Sequence, residues 1–412
     1  MTSADVQTSK STVLDDWDIN NSAIVNSDNP QEIYKEYAYL RRQCPVAHVD
    51  KHNGYWILTK YEDVKEVASN NEKYISYECA IVPADPRGIR RPPLKFDGEQ
   101  HKPYRRAVDR TMKPARIKRL EPIIREHCER ELQVLIDRGH GDIYEDFAAK
   151  WTSWVEKEWL NLDDADSAIL VESFSPFVTA WRMGNQWDVV KKWSDAWYGI
   201  AKRVVASRKE HPLDPEVDPA SSLLLETDRN GNPLEEEHII GCIRQIVIIA
   251  MVAPTIVVTA IAKHLSEDRE LQTKLRNDRS LLPAAIEEFI RLYVPYRGFS
   301  RTAVKPETLH DTTIPPKEPI TVVYSAANRD PEHFPDPDRF ILNRENINTH
   351  LGFGKGIHRC AGVGLARMMM RIFLDTILDR CDHWEVDGEV VYARLPEVGP
   401  TSCPLKFHRA RT

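Results

Sequence analysis

The run Ile246 to Ala262 is almost continuously apolar and carries Pro254 near its middle. It falls just short of a membrane span, and it is too long for a strand. A stretch of this kind is read as a buried central helix, interrupted by a proline, and the chain must supply partners to cover it. Helical patterns with many aromatic residues run from Leu120 to Arg208. Strand-forming runs are short, as at Tyr55 to Thr59 and Ile320 to Ser325.

Ahead of the apolar run, Asp28-Asn29-Pro30 has the form of a helix start, an Asx cap followed by proline at the first helical position. Residues 1–27 before it are polar and irregular and are read as an arm. Ile81 to Gln100 is rich in Pro, Gly and Arg and reads as a long loop holding Arg87, Arg90 and Arg91. His101 and Arg105 are four apart, on one helical face, in a segment crowded with Arg106, Arg110, Lys113 and Arg116. Downstream, Glu288 and Arg291 can pair across one helical turn.

The bulk numbers exclude several classes of partner. A net charge of -7 argues against a phosphate-dominated nucleic-acid ligand. Seven cysteines, an odd number without a CxxC pair, argue for a reducing compartment and against a disulfide framework. The polar N-terminus has neither a signal-peptide core nor an anchor helix, so no membrane partner is expected.

Leu351 to Gly362 reads L-G-F-G-K-G-I-H-R-C-A-G, with Cys360 in a glycine-rich loop directly before the helical run Val363 to Asp379. Glycines let backbone approach a flat ligand. Nearby N–H groups and a helix N-terminus favour a thiolate over a thiol. Phe353 supplies an aromatic cover that limits water. Phe353, Gly356, Cys360 and Gly362 in register, with His358 two residues before the cysteine, resemble the haem-binding loop of the cytochrome P450 family. The resemblance extends over about Asp28 to Phe407, as a single catalytic domain of residues 28–412.

That resemblance implies a mainly α fold with small β-sheets, the triangular-prism-like single domain of a soluble, cytoplasmic, bacterial-type enzyme. It implies haem b, with Cys360 as the iron ligand and His101, Arg105, Arg301 and His358 at the propionates. Glu288, Arg291 and Arg339 match the family's buried structural network. Arg87, Arg90, Arg91, Phe177, Trp181, Met251, Arg297, Phe299 and Thr401 fall where the family places its substrate pocket. A separate ferredoxin or flavodoxin is expected to dock near Arg106, Arg110, Lys113 and Arg116.

The expected activity is monooxygenation, either hydroxylation or oxidative demethylation of a small organic molecule. One departure bears on it. In the family the central helix carries an acid followed by a threonine, a pair that relays protons. Aligned on the alcohol, this chain keeps Thr255 as the catalytic residue, but Pro254 replaces the acid and Val252 the glycine. The alternative reading is therefore a haem-thiolate enzyme using nitric oxide or peroxide, which needs no acid-driven relay.

Overall fold

The computed structural model describes residues 31–50, 53–82, 91–183, 186–393 and 397–410. The expected arm at 1–27 and the candidates Arg87 and Arg90 lie outside these residues. In chain order the elements are α1 (Gln31–Gln43), β1 (Val46–Val49), β2 (Tyr55–Leu58), α2 (Tyr61–Ser69), β3 (Tyr74–Ile75), α3 (Gly98–Thr111), α4 (Pro114–Arg138), β4 (His140–Asp142), α5 (Ala149–Leu160), α6 (Asp164–Met183), α7 (Trp187–Glu210) and α8 (Pro219–Leu224). Then follow α9 (Glu236–Glu267), α10 (Arg269–Asn277), α11 (Leu282–Leu292), β5 (Phe299–Ala303), β6 (Glu307–Leu309), β7 (Thr312–Ile314), β8 (Pro319–Val322), α12 (Tyr324–Ala327), α13 (Val363–Arg380), β9 (Cys381–Val386), β10 (Val391–Ala393), β11 (Gly399–Ser402) and β12 (Pro404–Arg409).

The apolar run is the middle of α9, which at 32 residues spans about 48 Å. It is long and apolar enough to cross a membrane, yet most of it is buried within the fold. Helices α4, α5, α6, α7 and α13 pack with it into one large apolar core. Buried indoles find acceptors there: Trp151 donates to the Ile124 carbonyl at 3.0 Å, Trp197 to Ser173 Oγ at 2.7 Å, and Trp384 to the Ala262 carbonyl at 2.8 Å. A second core lies between α2 and a five-stranded sheet in the order β1-β2-β8-β5-β3. Only the β2–β8 pair in that sheet is parallel. The basic segment after His101 divides into α3 and α4, because Pro114 starts a new helix after extended Lys113. The stretch 211–233 contains α8, whose N-cap Asp218 accepts from the Ser221 N–H at 2.7 Å.

Glu288 and Arg291 on α11 are both fully buried and share two hydrogen bonds, of 2.7 and 2.8 Å. The third member of this network is Arg344, not the expected Arg339. Arg344 Nε donates to Glu288 Oε1 at 3.1 Å, whereas the Arg339 side chain is exposed. Arg339 contributes only its carbonyl, which accepts from Arg291 and Arg344, each at 3.1 Å. Spacing from Pro337 could not separate the two arginines, since either lies within reach of α11. Arg291 also donates to the Asn328 carbonyl at 2.8 Å, and Asn328 Oδ1 accepts from the Leu351 N–H at 2.7 Å. The network thereby reaches the first residue of the cysteine loop.

On α5, Glu156 is fully buried and neither carboxylate oxygen has a hydrogen-bond partner among the described residues. Burial raises its pKa well above the ordinary 4.5. The native state therefore holds a proton that the unfolded chain releases, and stability falls as pH rises above about 4.5. Glu156→Gln is expected to raise the thermal midpoint more at pH 8 than at pH 5, as read by differential scanning calorimetry. Glu288→Ala is expected to cost about 3–5 kcal/mol in denaturant unfolding, because it leaves two buried guanidiniums without their carboxylate. Arg339→Ala is expected to cost about 0.5 kcal/mol or less, since its carbonyl remains.

Candidate active site

Two adjoining cavities lie against one face of α9. The larger, about 290 Å³, is bounded by α9 on one side and by the cysteine loop and the start of α13 on the other. Cys360 lies deep in the protein but is exposed, because it lines this cavity. Burial raises its thiol pKa, opposed by the Gly362 N–H and by the charges of Arg105 and Arg359.

The loop is held from several directions. The Cys360 N–H donates to the Phe353 carbonyl at 2.9 Å. Arg105, reaching from α3, donates to the carbonyls of Ile357 and Arg359 at 3.0 and 2.5 Å while pairing with Asp109 at 2.8 Å. His358 contacts Asp97 at 3.1 Å and meets the His101 ring edge-on at 4.8 Å. Burial would raise the Asp97 pKa, but His358 and the N–H groups of Ser76 and Tyr77 outweigh it and hold the carboxyl below its usual range. Gly356 does not line the cavity. Its φ is +72°, and a Cβ there would lie 2.5 Å from the Ala68 carbonyl of α2.

Along one edge the cavity is ringed by His101, Arg105, Arg301, His358 and Arg359. His101 is buried, and its pKa is lowered to about 4 by desolvation and by the nearby charges of His358 and Arg105. It is therefore a neutral imidazole at pH 7. Its Nε2 has no hydrogen-bond partner among the described residues. Arg301 is 2% exposed and donates to its neighbour Ser300's carbonyl at 2.9 Å. The indole N–H of Trp159, also on the cavity wall, is buried without an acceptor among the described residues. Nothing in the sequence marks Trp159 out among ten tryptophans.

The face that α9 turns to the cavity is Gln245, Ile246, Ile249, Ala250, Ala253, Pro254 and Val257. Thr255 is not on it. Its hydroxyl is buried on another face, 2.8 Å from the Met251 carbonyl and 3.0 Å from Thr152 Oγ1 on α5. Aligning the helix on its alcohol set the register one residue late, a rotation of about 100°. The cavity-facing neighbour is Pro254, and the residue before it is Ala253, so this face carries neither alcohol nor acid. Met251, expected in the pocket, points away with Thr255 and accepts from Ser153 Oγ at 3.4 Å.

The smaller cavity, about 120 Å³, shares Leu94, Gln245, Ile249, Tyr296 and Phe299 with the larger one. The candidates Arg91, Phe177, Trp181 and Phe299 line it, together with Lys95 from the same basic stretch as Arg91, and with Arg244 and Glu397, which sequence reading passed over. Arg297 and Thr401 do not. Arg297 is buried under Tyr55, its Nη2 donating to the Val82 carbonyl at 3.4 Å, and Thr401 Oγ1 donates to the Val391 carbonyl at 3.4 Å.

The cations expected at a docking surface are tied to the chain itself. Arg106 and Arg110 both bond Glu226, Lys113 pairs with Glu216 at 2.6 Å, and Arg116 donates to the Glu158 carbonyl at 3.2 Å.

The cytochrome P450 family model matches residues 256–394. Over nearly the whole chain, the sequence is 25% identical to pulcherriminic acid synthase of Bacillus subtilis, across 92% of this chain and 95% of that one. It is 28% identical to the cytochrome P450 monooxygenase PikC of Streptomyces venezuelae, across 94% of each. The fold matches cytochrome P450 CYP109Q5 from Chondromyces apiculatus with a TM-score of 0.82 at 23% identity, covering 94% of this chain and 98% of that one. The chain is a bacterial-type cytochrome P450.

As a cytochrome P450 it is an oxidoreductase of the monooxygenase class, with the mainly α fold and small sheets that the sequence implied, and the family's cofactor is a haem iron. The residues present fit that group. Among the described residues no cluster of three or more His, Cys, Asp or Glu could hold a metal ion. Cys360 offers one sulfur ligand to the cavity. The orphaned His101 Nε2 and the neighbouring guanidiniums suit a macrocycle with anionic side chains. These likenesses do not favour the nitric oxide- or peroxide-using alternative.

Gly356→Ala is expected to lower haem retention severely, through both its left-handed φ and the Ala68 contact. Gly362→Ala is expected to keep most of it, because a Cβ there would sit at an ordinary 3.8 Å from the Cys360 sulfur. Haem-to-protein absorbance ratios after purification check both.

Proposed function

We propose that this P450 is a monooxygenase that hydroxylates or oxidatively demethylates a small organic molecule. The observation that carries the reading is a single cysteine facing a cavity with a cationic edge, joined to a second chamber that can hold the substrate beside it. When bound, haem supplies the activation of molecular oxygen, and a thiolate ligand favours O–O cleavage.

The chain's own residues would then divide the work. Cys360 would hold the iron, and Phe353 would cover that side of the ring. His101, Arg301 and His358 would hold the propionates, with His101 acting as a neutral N–H donor. Arg105 would share that role while keeping its hold on the loop carbonyls. Gly356 would act at a distance, letting the loop close onto α2. On the opposite wall, Ala250, Ala253 and Pro254 leave room for oxygen and exclude water. Pro254 has no N–H, so the Ala250 carbonyl lacks its helical donor and stands as an acceptor on that wall. Proton supply would run through an ordered water held by this carbonyl and by Gln245, with Thr255 supporting α9 against α5.

Electrons would come from a separate ferredoxin or flavodoxin. Arg106, Arg110 and Lys113 are offset by Glu216 and Glu226, which leaves Lys355 and Arg359, exposed on the cysteine loop, as the better docking charges. Relatives bear names such as mycinamicin IV hydroxylase/epoxidase and cyclomarin C epoxidase, and a natural product of moderate size suits the two-chamber pocket.

The reading is tested with the haem-loaded protein, a ferredoxin system and isotopically heavy oxygen gas. One heavy oxygen atom in a hydroxylated product, or in the formaldehyde released by demethylation, is the expected result, with no product from Cys360→Ala. Product made with peroxide alone, and none with the electron-transfer proteins, would favour the alternative chemistry. Charge reversal at Lys355 and Arg359 is expected to slow ferric reduction at least about tenfold at low salt, and reversal at Arg106 and Lys113 by less, as followed by stopped-flow absorbance.

A further inference from the structure

The face that α9 turns to the larger cavity is apolar at Ile246, Ile249, Ala250, Ala253, Pro254 and Val257. Gln245 is the exception. It is 8% exposed and lines both chambers, and its side-chain amide makes no hydrogen bond to any described residue. Its companions at the junction are Leu94, Ile249, Phe299 and Tyr296. Two cations of the smaller chamber have other acceptors: Arg91 Nε donates to the Tyr198 hydroxyl and Arg244 Nη2 to Ser194 Oγ, each at 3.3 Å.

A buried amide left without a partner costs about 1–3 kcal/mol. An apolar side chain, like the others on this face, would fill the same place without that cost. A polar group that opens onto a cavity in this way is suited to orient a ligand that completes its hydrogen bonds. A primary amide offers two N–H donors and a carbonyl acceptor in one plane. The group that matches it best carries an N–H and a C=O on one edge. A cis amide, as in a lactam ring, has that edge, and the two amides close a pair of parallel hydrogen bonds. A ketone or lactone uses only the donor. A carboxylate also uses only the donor, and its charge is costly to desolvate against an apolar wall.

We infer that the substrate is an uncharged, mainly apolar molecule that carries a lactam, and that Gln245 is the specificity-determining residue that selects it. Gln245 Oε1 accepts from the lactam N–H, and one Nε2–H donates to the lactam carbonyl. The other Nε2–H stays available to the water shared with the Ala250 carbonyl. Ala253 lies about 12 Å further along the helix axis, so the oxidised position belongs to the apolar part of the molecule, away from the lactam. This inference deepens the monooxygenase reading and rests on it, but it is tested without turnover.

The probes are a phenyl- and a biphenyl-substituted pyrrolidinone, the N-methyl derivative of each, and the lactone of the same shape. Kd is read from the low- to high-spin absorbance change of the purified haem-loaded ferric protein. Calorimetry on the same samples counts binding that leaves the spin state unchanged. At least one lactam is expected to bind about ten- to a hundredfold more tightly than its N-methyl derivative and its lactone, the scale of a buried hydrogen bond left unmade. Gln245→Leu and Gln245→Met are each expected to bring those ratios close to one by weakening the lactam alone. Using two variants of different shape separates loss of the amide from a packing defect.

Equal affinity for the lactams, N-methyl derivatives and lactones in the wild-type protein overturns the inference, and so does failure of both lactams to bind. Neither result needs a variant. A lactam preference that persists in both variants also overturns it. A ferrous carbon monoxide spectrum without thiolate character would instead count against the haem-thiolate reading beneath it, so the two failures are distinguishable.

Discussion

The cysteine loop can do nothing unless something rigid stands behind it, and that support is a buried charge network rather than apolar packing. Glu288 pairs with both Arg291 and Arg344, which leaves the remaining guanidinium donors to collect main-chain carbonyls from 328 to 339. Asn328 passes the constraint on, fixing Leu351 at the head of the loop while donating back to the Arg291 carbonyl at 3.2 Å. An all-apolar replacement of similar volume could match such a network in stability. It could not supply directional bonds to an irregular segment whose carbonyls have no helix or sheet partners. The meander before the cysteine is therefore ordered by arginines.

The same logic operates on the other side of the loop with opposite aims. Arg105, His358 and Asp97 join the loop to α3 and the segment before it, and they leave donors facing the cavity edge. Burial pushes His101 towards its neutral form, which avoids a third positive charge beside Arg105 and Arg301 while keeping an N–H to give. Stability alone would not select a neutral imidazole with an unmade hydrogen bond, because an orphaned buried polar atom costs about 1–3 kcal/mol. Such a cost is sensible where a ligand with acceptor oxygens completes the bond.

How much of this was legible depended on whether a role is written in spacing or in orientation. The cysteine loop was legible because backbone approach, a thiol and a helix start must fall at fixed offsets. Glu288 and Arg291 were legible because one helical turn brings them together. Arg344 was not, since an irregular segment places two arginines near α11 and only the folded path decides which turns inward. Thr255 misled for a related reason: in a run with hardly any polar residue, nothing marks which side of the helix faces the cavity, and a one-residue shift turns the side chain by about 100°. Arg244 and Glu397 were invisible as pocket residues because their partners, Phe177, Trp197 and Tyr296, are distant in sequence.

The helix α9 gathers these facts into one axis. Its first half carries Arg244 and Gln245 into an aromatic-walled chamber, and its middle presents Ala250, Ala253 and Pro254 opposite Cys360. A proline in a helix interior costs about 3 kcal/mol, and a buried helix has few ways to recover it. Here Ala250, whose carbonyl it frees, lines a cavity, where water or a ligand can satisfy that carbonyl. The local rule is broken at the place where an opposing reactive centre would sit, while the threonine beside it is spent on holding two helices together.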